Sequence, residues 1–287
     1  MFSILRFFLI TPLFLVLFAA GAFPMGGKLR NIPMKTCPEA DIPDGEFLHY
    51  SQYIGGEKSI DEYFVTIKVK NDKGGFFYRI YEDIISPSGK RKLPAKYTDW
   101  PISVLIDPVR CTTLESIVNL KTNELKEFES FGVGGMIYSH YQFFSNEGVV
   151  RYTSKSIKDD EIITKSYMVI VNPDFPLLDA FSTSFAYRFL DPQNPGIFFY
   201  VIPDFIKEPI PLSFRLDKKD TITLKAGTFH VNRLIVTMGD PFIGKLMEPF
   251  LKNLVLMIED SNRRIAVMQR MAGSETVLEE ISNVNIK

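Results

Sequence analysis

The chain has 287 residues, 46% of them apolar and 13% aromatic, with 33 basic side chains against 34 acidic ones. Charged residues reach only 23% and the formal net charge is −1, which excludes the disordered, collagen-like and strongly basic nucleic-acid-binding classes. What is left is a globular protein of one or two domains.

Residues 1–22 read as an export signal. Arg6 supplies the early positive charge, an uncharged run follows from Phe7 to Ala20, and Ala20-Gly21-Ala22 offers the small side chains that a signal peptidase admits. The expectation is cleavage after Ala22 and a mature chain in the bacterial periplasm with no membrane span. The alternative is an uncleaved segment that anchors the chain to the inner membrane. No Asn-x-Ser/Thr site occurs, which suits a bacterial envelope protein. Residues 23–43, rich in Gly, Pro and Lys, read as a flexible N-terminal arm, and 44–287 as a single β-rich domain. Export opens two fates for Cys37 and Cys111: buried thiols, or a disulfide stabilising the fold by about 4 kcal/mol through the entropy it takes from the unfolded chain.

From Phe47 the pattern is one of strands. Phe47–Ile54 is the first, and from Tyr63 to Lys70 the odd positions are apolar while the even ones become polar after Phe64, as in a half-buried strand. The turn Asn71-Asp72-Lys73-Gly74-Gly75 leads into a partner at Phe76–Ile85. Further strands are predicted at Ile102–Asp107, Glu115–Leu120, Met136–Phe144, Val149–Ser154 and Ile162–Val171, the last apolar on both faces so that something must cover it. A helix is predicted over Pro176–Leu190, where Leu177, Phe181, Phe185 and Phe189 recur at four-residue spacing to form one apolar ridge. Strands resume at Ile197–Val201, Thr221–Leu224 and Phe229–Met238, a short helical stretch is read at Phe242–Met247, and strands at Leu254–Glu259, Arg264–Met271 and Thr276–Ile281 complete the chain. The fold class is mainly β: a curved antiparallel sheet or open barrel wrapped on one central amphipathic helix.

Signatures of chemistry are sparse. His49, His140 and His230 lie far apart with no metal-ligand spacing, and there is no GxSxG elbow or SxxK motif. Phe131-Gly132-Val133-Gly134-Gly135 lacks the register of a phosphate loop. No metal or cofactor is expected. Glu46, Asp99, Asp107, Asp204 and Glu259 are candidates for a carboxylate pair, and equally for strand ends and turns. The 25 Phe and 12 Tyr either fill a large β core or line a cavity for an acyl chain, with Leu177, Phe181, Phe185 and Phe189 as its ligand-lining plug.

Four segments, in order, resemble a bacterial envelope family known only as domain of unknown function 3108. Asp44-Gly45-Glu46-Phe47-Leu48-His49-Tyr50 resembles its opening strand, and Leu178-Asp179-Ala180-Phe181 running on to Tyr187-Arg188-Phe189-Leu190 its central helix. Lys225-Ala226-Gly227-Thr228-Phe229 resembles its "AGTF" hairpin, and Met257 to Val267 its closing strand, turn and strand. The resemblance implies a periplasmic curved sheet wrapped on a helix, similar in shape to lipoprotein-carrier proteins, and carries over no catalytic residue. The favoured reading is therefore an exported, non-enzymatic envelope protein binding a lipid-like or other apolar ligand within the sheet. One alternative is a structural module that docks an envelope protein partner through its strand edges. The other is a hydrolase of envelope polymers, which needs two close carboxylates, or His140 or His230 beside a serine.

Overall fold

Two-residue alternation and β-branched or aromatic content turn most of the described residues into strands. The computed structural model describes residues 32–36, 42–72, 74–85, 92–120, 136–158, 161–179, 183–191, 193, 196–201, 209–239, 254–269 and 274–284. In chain order the strands are β1 (Glu46–Ile54), β2 (Glu57–Lys70), β3 (Phe76–Ile85), β4 (Ile102–Asp107), β5 (Thr112–Asn119), β6 (Met136–Phe144), β7 (Val149–Lys158) and β8 (Glu161–Ile170). They continue with β9 (Leu177–Asp179), β10 (Phe198–Val201), β11 (Ile210–Leu224), β12 (Gly227–Met238), β13 (Val255–Glu259), β14 (Ile265–Gln269) and β15 (Ser274–Asn283). The predicted strands at Phe76–Ile85, Ile102–Asp107 and Met136–Phe144 match to the residue.

The fifteen strands among the described residues form one open sheet, in the order β8-β7-β6-β5-β4-β3-β2-β1-β15-β14-β13-β12-β11-β10-β9. Each half is a meander of sequential neighbours, and the halves join where β1 pairs with β15. That seam lies in the middle of the sheet, and Val284 N donates to Gly45 O at 2.9 Å beside it. Neighbours run antiparallel except β9 and β10, which are parallel. The sheet is curved enough to bring β9 against β5, where Asp179 N lies 3.4 Å from Thr113 Oγ1.

The predicted central helix is not formed. Leu177–Asp179 is strand β9, held beside β10 and buried at all three positions, and among the described residues that follow, Thr183–Ala186 makes one α-helical turn, α1, continued by a 3-10 turn at Tyr187–Phe189. Leu177 on one side and Phe185 and Phe189 on the other are buried in two different clusters rather than along one face of a helix, and pairing with β10 overrides the local preference at Leu177–Asp179. Phe181, Cys37, Asp204, the Phe131–Gly135 turn, the Phe242–Met247 stretch and residues 1–22 lie outside the described residues.

The concave side is filled. One apolar cluster runs from Leu48, Phe64, Ile80 and Val104 on one half of the sheet to Phe214, Leu234, Ile258 and Leu278 on the other, with Phe185, Tyr187, Phe189 and Leu190 between them. Phe189 stacks on Tyr78 with ring centroids 5.4 Å apart, and Tyr187 meets Phe198 and Phe214 edge-on. A smaller cluster of Tyr141, Val150, Tyr152, Val169, Leu177 and Val201 packs β6–β8 onto β9 and β10. Part of the predicted arm lies along this body: Met34 N donates to Ile197 O at 2.9 Å, and Pro33 and Thr36 form bridges with Ile197 and Leu190. Gly196 allows that approach, because a Cβ there would come within 2.5 Å of Met34 Cα.

Candidate functional site

Of the four predicted lining residues, Phe185 and Phe189 sit in the main core and Leu177 in the smaller one. A cavity of about 20 Å³ beside Phe185, bordered by Tyr50, Phe64, Arg188, Met268 and Thr276, has the size of one water molecule. A drug-sized or acyl ligand needs on the order of 300 Å³ or more. A wider polar concavity of about 600 Å³ lies at one end of the sheet, where Lys35 and Thr36 face Arg110, Asn146 and Asp174.

The densest polar arrangement is buried, and spacing alone does not reveal it. Arg188 is 1% exposed and grips Glu46, also 1% exposed, with Nη1 to Oε2 at 2.5 Å and Nη2 to Oε1 at 3.3 Å. Arg188 Nη2 also donates to Asn262 O at 3.0 Å, and its guanidinium lies 4.8 Å from the Phe185 ring centre. Arg264 bridges two carboxylates, donating from Nε to Glu46 at 2.8 Å and from Nη1 to Glu259 at 3.2 Å. Arg263, in the tight turn between β13 and β14 with φ 59°, holds the carbonyls of Arg188 and Leu190. The result ties β1, the 3-10 turn and the β13–β14 turn together. Burial pushes the Glu46 carboxyl up, but Arg188, by charge and hydrogen bond, and then Arg264 outweigh it and hold the group below the ordinary carboxylate range. Glu46 and Glu259 are the predicted carboxylates that come together, joined through the guanidinium of Arg264. The local signal was Arg188 itself, a fixed charge inside the apolar run Phe185-Ala186-Tyr187-Arg188-Phe189-Leu190, which a protein buries only when paired.

The histidines serve other contacts. On the face of β1 opposite Leu48, His49 Nε2 lies 2.6 Å from Asp61 Oδ1, which also accepts from Ser51 Oγ at 2.9 Å and pairs with Lys58 at 2.7 Å. The His49 ring stacks on Tyr63 at 4.6 Å. Here the aspartate stands between serine and histidine, so the hydroxyl donates to the carboxylate rather than to the imidazole that would activate it. His140 meets Glu115 at 3.2 Å, and His230 Nδ1 meets the Thr221 hydroxyl at 2.9 Å. Asp107 caps a turn, accepting from the amides of Val109 and Arg110, and Asp99 ends a 3-10 turn. Cys111 is buried on that same turn with φ 48°, its Sγ 3.2 Å from Ala186 O.

Among the described residues β8 is an end strand of the sheet with no strand on its outer side, a placement that the letters left unread. Its outward face carries Ile162, Met168 and Ile170 at 65%, 61% and 78% exposure. Pairing with β7 runs without a register shift from Val149↔Ile170 to Lys158↔Glu161, so no bulge turns the edge away. No helix among the described residues is long and apolar enough to cross a membrane.

No family model and no curated protein matches the chain, so the resemblance to domain of unknown function 3108 gains no support from either. Among solved structures the chain is similar to a candidate exported protein with a YmcC-like fold from Bacteroides fragilis, at 11% identity and TM-score 0.33 over 88% of this chain and all of that one. It is also similar to a candidate lipoprotein from Parabacteroides distasonis, at 11% identity and TM-score 0.32 over 84% of this chain and 96% of that one. Agreement at this level transfers neither ligand nor activity to the present chain.

Proposed function

We propose that the chain is an exported, non-enzymatic protein of the bacterial envelope that works as an interaction module, taking an extended segment of a protein partner onto the β8 edge of its sheet. The observation that carries this is the character of that edge. A terminal strand presents a row of unused amide and carbonyl groups, and proteins that do not use such an edge shorten it, bulge it or charge it. Here ten residues run straight, three large apolar side chains face outward, and the only charges are Glu161 and Lys165. The leader-like residues 1–22 support the compartment.

A photoreactive side chain in place of Ile162 is expected to give a protein adduct when the chain is expressed with its own leader in a bacterial envelope. The same group in place of Val69, 37% exposed on β2 away from the edge, is expected to give none. Equal labelling from both positions, or from neither, would overturn the assignment. The apolar-carrier reading draws on the aromatic packing of Phe185 against Phe189, and the described cavity beside Phe185 is the size of a water molecule. The same compartment would let Cys37 and Cys111 pair. Thr36, next to Cys37, donates to Val109 O at 2.8 Å, which lays the two segments side by side. Peptide mapping without reductant is expected to recover the two as one linked species that separates on reduction.

A further inference from the structure

Resting on the reading of β8 as a docking edge, we infer that the partner it fits is a second copy of this chain, joined β8 to β8 antiparallel about a two-fold axis normal to the sheet. Such an axis keeps each face of the sheet on its own side. Residues directly opposite one another must then share a face, so their numbers sum to an even value. Two registers engage nearly all of the strand. Centred on Lys165, the pairing sets that ammonium against its own copy, and like charges directly opposite are destabilising. Centred on Ser166, it sets Ile162 opposite Ile170 of the second copy, twice by symmetry, and Thr164 opposite Met168. The side chains at 65%, 78% and 61% exposure then become two apolar cross-strand clusters.

On the other face the Ser166-centred register places Ile163 opposite Val169 and sequence position Lys165 opposite Tyr167 of the second copy. Neither of the two charges in β8 meets a like charge. The pattern that leaves β8 apolar outside and nearly uncharged is thus self-complementary in one register, which an edge meant for an unrelated segment has no reason to be. Joined this way the two sheets would continue as one across the dimer axis, closing both β8 edges at once and leaving no further copy a β8 edge to pair with.

The test begins with the purified chain at tens of micromolar, whose sedimentation mass is expected to be that of two chains. Ser166 is exposed and bonds only to the neighbouring Thr153 hydroxyl at 3.1 Å, so changing it leaves the monomer's core untouched. Ser166→Lys and Ser166→Glu alone are each expected to weaken self-association about fivefold or more, and mixing the two to restore the two-chain mass. Cα atoms directly opposite in an antiparallel pair are about 4.5–5.5 Å apart, within disulfide range. The Ser166→Cys chain is therefore expected to oxidise to a covalent pair, and the Lys165→Cys chain is not.

A single-chain mass for the unaltered protein, a covalent pair from Lys165→Cys instead, or a two-chain mass that Ser166→Lys leaves unchanged would each overturn the inference. A photoreactive group in place of Met168 separates this from the broader reading. An adduct of two chains supports both. An adduct with a different polypeptide overturns self-pairing while the edge remains a docking site, and no adduct overturns the edge reading as well.

Discussion

The Arg188→Leu chain is expected to lose about 3–5 kcal/mol of unfolding free energy, measured by urea denaturation near neutral pH. The loss comes less from the missing contacts than from what stays behind: Glu46, 1% exposed, keeps its charge with Arg264 as the remaining ionic partner in an apolar surround. Removing both charges together, as Glu46→Leu with Arg188→Leu, is expected to recover part of the loss. The double-mutant cycle would then show a coupling well beyond the sum of independent sites. The pH dependence follows from the lowered Glu46 carboxyl. Its stabilisation is fully present above the ordinary glutamate value of 4.5 and is lost as pH falls through the folded-state value, so the gap between wild type and Arg188→Leu narrows in acid. A gap that stays constant from neutral pH to well below 4.5 would show that Arg188 acts by packing alone.

A Phe189→Ala substitution is expected to cost about 3–5 kcal/mol, because the ring is wholly buried and wedged between the halves of the sheet against Tyr78 and Phe185. Phe76→Ala, at a ring 44% exposed beside the β2–β3 turn, is expected to cost less than about 1 kcal/mol and serves as the control. The same pair of proteins examines the interior. If the concavity is filled by its own side chains, a benzene-sized probe binds the Phe189→Ala chain and not the wild type. Uptake by both would mean that the sheet opens to admit apolar guests and would restore the carrier reading.

The strands were legible because their signal is local: alternation from Ile102 to Asp107 or from Phe76 to Ile85 states both the conformation and the buried face. Leu177–Asp179 was misread because burial at all three positions erases the distinction between strand and helix. What decided it was pairing with Phe198–Val201, well along the chain. The polar cluster was hidden for a related reason. Arg188 meets a glutamate 142 residues earlier and shares it with Arg264, a conjunction that no window of sequence displays. For β8 the apolar character on both faces was visible at Ile162 to Val171 and demanded a cover. That the strand ends the sheet, so that the demand falls on its edge and outer face, is a matter of topology alone.

The seam between β1 and β15 gives the molecule a late lock. A ribosome delivers the opening strand almost a whole chain-length before the one that must lie beside it. Until then each half-sheet holds an additional raw border at the future centre of the molecule. Completion therefore waits on β15, which favours holding the polypeptide unfolded until that strand has emerged, and makes its loss a lesion at the heart of the architecture rather than at its fringe.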